Sequence, residues 1–205
     1  EIGWINNWYY ANDIPTSPWK SAMSLPRNLS VKKKINNEWT LLQKPVTAVN
    51  SFRKKIISLK NEVVTENKLL PVKGSQFEME LSIEPSATSV CGIKLAKSND
   101  HYFEIGYDAA KQLLYIDRSK TGNTSFNESF KKMNRFEKPI ALKNKKMQLH
   151  IYFDNSIVEI FVNGGEAVFT AQIFPDETDK GIELFNTGGK SKFNNIHFWE
   201  MKSAW

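Results

Sequence analysis

Cutting a glycosidic bond takes two carboxyl groups about 5 to 9.5 Å apart, one to protonate the leaving oxygen and one to attack or to activate water. Three acidic residues of this chain are the natural first candidates: Asp117, Asp154 and Glu159. Each also has a structural reading. Glu159 lies between Val158 and Ile160 and reads as the exposed face of a strand. Asp154 opens the turn Asp154-Asn155-Ser156, and Asp117 ends an extended run before Arg118, where a hairpin ion pair would use it. His101, His150 and His197 stand about 50 residues apart, and none has a partner at zinc-ligand spacing. The one cysteine, Cys91, sits in the apolar run Val90-Cys91-Gly92-Ile93 and reads as a small core residue. No metal site and no cofactor are expected. Neither a nucleophile elbow nor a glycine-rich phosphate loop occurs.

Aromatic residues are the remaining handle. Sugars offer apolar C–H faces to Trp and Tyr rings, and their hydroxyls need amide and carboxylate partners. The stretch Trp4-Ile5-Asn6-Asn7-Trp8-Tyr9-Tyr10-Ala11-Asn12-Asp13 supplies both kinds of group. It fits a packed, hydrogen-bonded turn equally well.

These residues need elements to hold them. Residues 1 to 47 carry four of the six tryptophans, and Pro15-Thr16-Ser17-Pro18 cannot be helix because each proline removes a donor and restricts the residue before it. Extended runs at 21–31 and 39–42 are separated by a turn at Asn36-Asn37. Residues 48–70 are ambiguous: Phe52, Ile56, Leu59 and Val63 fit helical spacing, yet the β-branched content argues against it. This stretch reads as a connector with room for a first strand. From residue 71 the period is two, with Phe77, Met79, Leu81 and Ile83 alternating with Glu78, Glu80, Ser82 and Glu84. Short apolar runs follow, separated by turns such as Asn163-Gly164-Gly165 and Thr187-Gly188-Gly189. The pattern predicts an all-β sandwich or barrel over 71–205.

The chain has 205 residues, 40% of them hydrophobic, and a formal net charge of +6. Lysine is scattered in short runs, Lys32-Lys33-Lys34 among them, which predicts solvated strand ends and loops and no nucleic-acid partner. No stretch approaches the roughly 20 apolar residues of a membrane span, so no membrane partner is expected. The opening Glu1-Ile2-Gly3-Trp4 is no signal peptide and suggests a piece of a longer protein.

Gly3-Trp4-Ile5-Asn6-Asn7-Trp8-Tyr9-Tyr10-Ala11, followed by Pro15 to Arg27, resembles the end of the catalytic domain in glycoside hydrolase family 32, the family of invertases, inulinases and levanases. Asp117-Arg118-Ser119-Lys120-Thr121-Gly122-Asn123 resembles a hairpin of the family's C-terminal domain, and Leu149 through Pro175 resembles its most recognisable late motif. The three stretches run in the family's order along nearly the whole chain.

The resemblance implies a five-bladed β-propeller holding the active site, then a two-sheet antiparallel, lectin-like β-sandwich. Residues 1–47 would be a remnant of the last blade, 48–70 a connector and 71–205 the sandwich. The family's nucleophile motif Asn-Asp-Pro-Asn-Gly, its Arg-Asp-Pro motif and its acid Glu beside a Cys do not occur here; Asp13-Ile14-Pro15 and Glu38-Trp39 do not match them. The parent would cleave β-fructofuranosyl bonds of levan, inulin or sucrose with retention, and this chain alone would be inactive. No catalytic residue is assigned. The resemblance carries over one substrate contact, Trp8, in Asn7-Trp8-Tyr9-Tyr10. The substrate would be met through the propeller, and the protein would be secreted or periplasmic. The alternative is a fructan-binding module using exposed aromatics such as Tyr107, Tyr115, Tyr152 or Trp199. Cut from its propeller, the 1–47 segment should pack on the sandwich, self-associate with another copy or be poorly ordered.

Overall fold

A computed structural model describes residues 1–34 and 37–203. Asn36 of the expected turn lies outside them; Asn37 has φ 64° and its N–H donates to the Lys34 carbonyl at 3.0 Å. Strands β1 (Trp4–Ile5) and β2 (Ala22–Met23) pair antiparallel, as do β3 (Arg27–Lys33) and β4 (Trp39–Pro45). A 3-10 turn at Thr47–Phe52 leads to β5 (Arg53–Ser58), β6 (Glu62–Val64) and β7 (Asn67–Lys73). Then come β8 (Gln76–Glu84), β9 (Val90–Lys97), β10 (Phe103–Asp108) and β11 (Leu113–Asp117). A one-turn helix, α1 (Glu128–Lys132), precedes β12 (Arg135–Pro139), β13 (Met147–Asp154), β14 (Ile157–Val162), β15 (Ala167–Gln172), β16 (Gly181–Thr187) and β17 (Ser191–Met201).

The later strands form the antiparallel two-sheet sandwich that the period-two pattern predicts. One sheet has the order β12-β11-β10-β9-β16-β7 and the other β15-β14-β13-β8-β17-β5, with β6 also on β17. Phe77, Met79, Leu81 and Ile83 of β8 face the core with Ile151, Phe153, Ile93, Ile105 and Phe198. Cys91 is in that core and fully buried. Burial of some thirty such side chains, at roughly 25 cal/mol per Å² of apolar surface, is what holds the sheets face to face. Residues 48–70 supply the 3-10 turn, β5 and β6, and the start of β7, so this stretch enters both sheets rather than coiling as a helix. Its β-branched pairs Ile56-Ile57 and Val63-Val64 favour extended backbone over the helical spacing.

Period two also predicted a wet outer face on β8. That expectation is corrected at Glu78, which is fully buried, and at Ser82, which is 5% exposed. Arg53, His150 and Tyr152 close over Glu78, and Ser82 lies against β17 with its hydroxyl donating to the Asn194 carbonyl at 3.4 Å. Leu25, Val46 and Val49 pack as a second layer on Tyr152 and Phe161 across the outer side of this sheet. A smaller cluster, Tyr10, Ile14, Phe130 and Phe174, joins the N-terminal segment to α1 and to the loop after β15. The N-terminal segment is thus packed on the sandwich through Tyr10, Ile14 and Leu25.

Candidate functional site

The Asn7-Trp8-Tyr9-Tyr10 stretch is a tight turn built by asparagine side chains. The Asn6 side-chain oxygen accepts from the Asn7 N–H at 2.9 Å, that of Asn7 accepts from the Tyr9 N–H at 3.0 Å, and the Tyr10 N–H donates to the Asn7 carbonyl. The turn sends neighbouring rings in opposite directions. Tyr10 goes inward, edge-on to Phe130 at 5.1 Å, with the Arg118 guanidinium 3.8 Å from the centre of the Phe130 ring. Trp8, the one substrate contact expected from the sequence, goes outward and is 88% exposed, with Trp4 at 5.1 Å and Tyr9 also exposed. Large exposed rings on an anchored turn are suited to packing against the C–H face of a sugar.

Two buried glutamates are each held by an arginine: Glu159 ties the N-terminal region to the sandwich, and Glu78 is bound within the sandwich itself. Glu159 on β14 accepts from the Leu25 N–H at 2.6 Å and from the Arg27 guanidinium, which also donates to Gln43 and Thr170. Glu159 is 2% exposed, so its reading as an open strand face is corrected: residues 25–27 lie over it. Glu78 on β8 is held by both prongs of Arg53, one of them Nε to Oε2 at 2.6 Å, by His150 and by the Tyr152 hydroxyl at 2.9 Å. Burial alone would lift the Glu78 carboxyl. The hydrogen bonds from Arg53, then His150 and Tyr152, outweigh it and hold the pKa at about 2. Burial, then the neighbouring Glu78, push the Tyr152 phenol up.

Register puts Glu78 and Glu159 on either side of Tyr152, one strand away in each direction. Their backbones are therefore about 10 Å apart across two inter-strand spacings. Each carboxylate is committed to an arginine. Asp154 accepts from Gln76 at 2.9 Å, and Asp117 accepts from the Ser119 N–H and lies 3.6 Å from Arg135, its cross-strand partner on β12, as the ion-pair reading expects. A cleft of about 480 Å³ between the second layer and the sandwich is lined by Leu25, Val49, Phe52, Tyr152, Met201 and Glu159, mostly apolar. Glu78, Glu80 and His150 come within metal-ligand reach of one another, as do His101, Asp176 and Asp179; Arg53 already occupies the first group, and the Asp176 N–H and His101 bind Asp179 in the second. Tyr107, Tyr115, Tyr152 and Trp199 are all buried and present no sugar-binding face.

The arginines were not legible in sequence, but one signal was. Strand β14 reads Ile-Val-Glu-Ile-Phe-Val, apolar on both faces, which means both faces are covered and the lone Glu needs a partner.

Fold and site together define the class: a two-sheet antiparallel β-sandwich carrying, on its outer side, a segment of a second β unit that turns tryptophans to solvent. The chain belongs to glycoside hydrolase family 32. Residues 42–200 match the family's C-terminal domain and residues 1–45 its N-terminal domain. It is 34% identical to a levanase of Bacillus subtilis over 209 residues, covering all of this chain and 31% of the levanase. It is 34% identical to an extracellular exo-inulinase of Aspergillus niger over 211 residues, covering 39% of that protein. The chain thus spans about a third of the length of these relatives. Among solved structures, exo-inulinase from Aspergillus awamori superposes with a TM-score of 0.86 at 32% identity, over all of this chain and 40% of that one. Sucrose-6-phosphate hydrolase from Lactobacillus gasseri shares the fold, with a TM-score of 0.74 at 24% identity over 98% of this chain and 38% of that one.

Proposed function

We propose that this chain is the C-terminal part of a β-fructosidase that hydrolyses β-fructofuranosyl bonds of levan, inulin or sucrose, and that alone it cleaves none of them. The observation that carries this is the pairing of both buried glutamates with arginines, together with a turn that presents Trp8 to solvent. The relatives named levanase and exo-inulinase support the substrate class. In the parent, a propeller domain supplies the two acids, retention runs through a covalent fructosyl-enzyme, and Trp8 contacts substrate. The sandwich steadies that propeller. Residues 1–47 are the propeller remnant, and the sandwich proper follows the 48–70 stretch, which also lends it strands. The exposed Trp8, Tyr9, Trp19, Val31 and Trp39 leave the N-terminal segment with apolar surface that associates with the propeller or, without it, with a second copy. The extracellular relative supports secretion, and among the described residues no helix is long and apolar enough to cross a membrane.

The test is fructose release from levan, inulin and sucrose by this chain, beside the same chain with the parent's upstream residues restored. No turnover by the first and turnover by the second is expected.

A further inference from the structure

Beside the Trp8 face, a pocket of about 280 Å³ lies between the N-terminal segment and the sandwich, lined by Trp4, Asn6, Arg27, Arg118, Thr170 and Gln172. It is too small for an oligosaccharide and fits one small ring. Gln172 is 3% exposed, and both atoms of its side-chain amide are buried without a hydrogen-bond partner. The same holds for Nε of Arg27, whose other nitrogens hold Glu159, Gln43 and Thr170. Such groups cost free energy when left unmatched inside a protein. Arg118, 3% exposed, donates to the carbonyls of Met133 and Gln172 and also interacts with Tyr10, and among the described residues no carboxylate pairs with it.

The unmatched set defines the ligand. Arg27 Nε and the Gln172 amide nitrogen need acceptors, and Gln172 Oε1 needs a donor. A carboxylate would satisfy the first two and face Oε1 with another acceptor. Adjacent hydroxyl groups, each both donor and acceptor, satisfy all three. The rings of Trp4 and Phe136, both partly exposed, flank the opening and offer apolar surface for C–H groups. We propose that this pocket binds a single sugar ring through vicinal hydroxyls held by Arg27 and Gln172, as a site separate from the Trp8 face. That the sugar is a fructosyl unit rests on the β-fructosidase reading; the hydroxyl chemistry does not.

The test is a titration of the isotope-labelled 205-residue chain with D-fructose, D-glucose and acetate, followed by NMR at the Gln172 side-chain amide and the Trp4 indole N–H. Saturable shifts at both groups with fructose are expected. Gln172→Met, which keeps the volume and removes the hydrogen bonds, should weaken binding roughly tenfold, and Trp4→Ala, at a partly exposed position, should weaken it independently of any packing defect at Gln172. Fructose and glucose binding alike would support the pocket and remove the fructosyl assignment alone, whatever the parent hydrolyses. No shift at Gln172 with either sugar at about 100 mM, or saturation by acetate in their place, would overturn the proposal.

Discussion

Arg27 and Glu159 are 132 residues apart in sequence and meet as a buried ion pair, with Glu159 also accepting the Leu25 N–H. The pair joins a residue of the family's N-terminal domain to one of its C-terminal domain. It orients β3 on the sandwich, with the Glu159 carboxylate engaged by a guanidinium and a backbone N–H.

Glu159→Gln should therefore loosen the seam. It leaves the Arg27 guanidinium, whose side chain is 12% exposed, without its counter-charge. A loss of about 3 kcal/mol in urea unfolding is expected, with residues 1–45 becoming protease-sensitive first. A change below about 0.5 kcal/mol would make the pair an ordinary surface contact.

Glu78 predicts an acid limb. Its pKa is depressed to about 2 from 4.5, so the stability it contributes is present above pH 4.5 and lost as pH falls toward 2. The loss should approach about 3 kcal/mol, and Glu78→Gln should remove most of this dependence while lowering stability at neutral pH. Chemical unfolding between pH 5 and pH 2 checks this; parallel slopes for the two proteins would contradict it.

These glutamates show where sequence reading stopped. Alternation in β8 placed Phe77, Met79, Leu81 and Ile83 in the core correctly, because period two reports which residues share a face. It does not report what covers the other face. The cover on Glu159 comes from Leu25 and Arg27, and that on Glu78 from Arg53, with no local signal joining them. Turn chemistry was legible: Asn155 and Asn163 both adopt positive φ where asparagine turns were expected. The 48–70 stretch was not, because β5 is an edge strand with Lys54 and Lys55 exposed, and exposed edge residues carry no alternation. Trp8 entered through family resemblance alone; its outward direction follows from the Asn7 turn.

Gly165 should be intolerant of a side chain. Its φ is +93°, and an added Cβ would sit 1.9 Å from the Gln43 carbonyl oxygen, where the β3–β4 hairpin meets the sandwich. Gly165→Ala should cost about 2 kcal/mol or more. Hydrogen exchange should quicken at the Gln43 amide, which donates to the Gly165 carbonyl at 3.0 Å, and stay slow at Ile151 in the core.

Trp8→Ala separates stability from function. At 88% exposure the change should alter the stability of this chain by no more than about 0.5 kcal/mol. In the parent it should lower kcat/KM for sucrose or levan roughly tenfold or more. Unchanged kinetics would remove Trp8 from the substrate site.

Fructose release bears most directly on the central claim. Purified chain incubated with levan, inulin and sucrose should liberate no fructose above the uncatalysed rate, and restoring the parent's upstream residues should bring hydrolysis back. Sustained release by the 205 residues alone, abolished by Glu78→Gln or Glu159→Gln, would mean that the arginine-paired carboxylates do the chemistry after all.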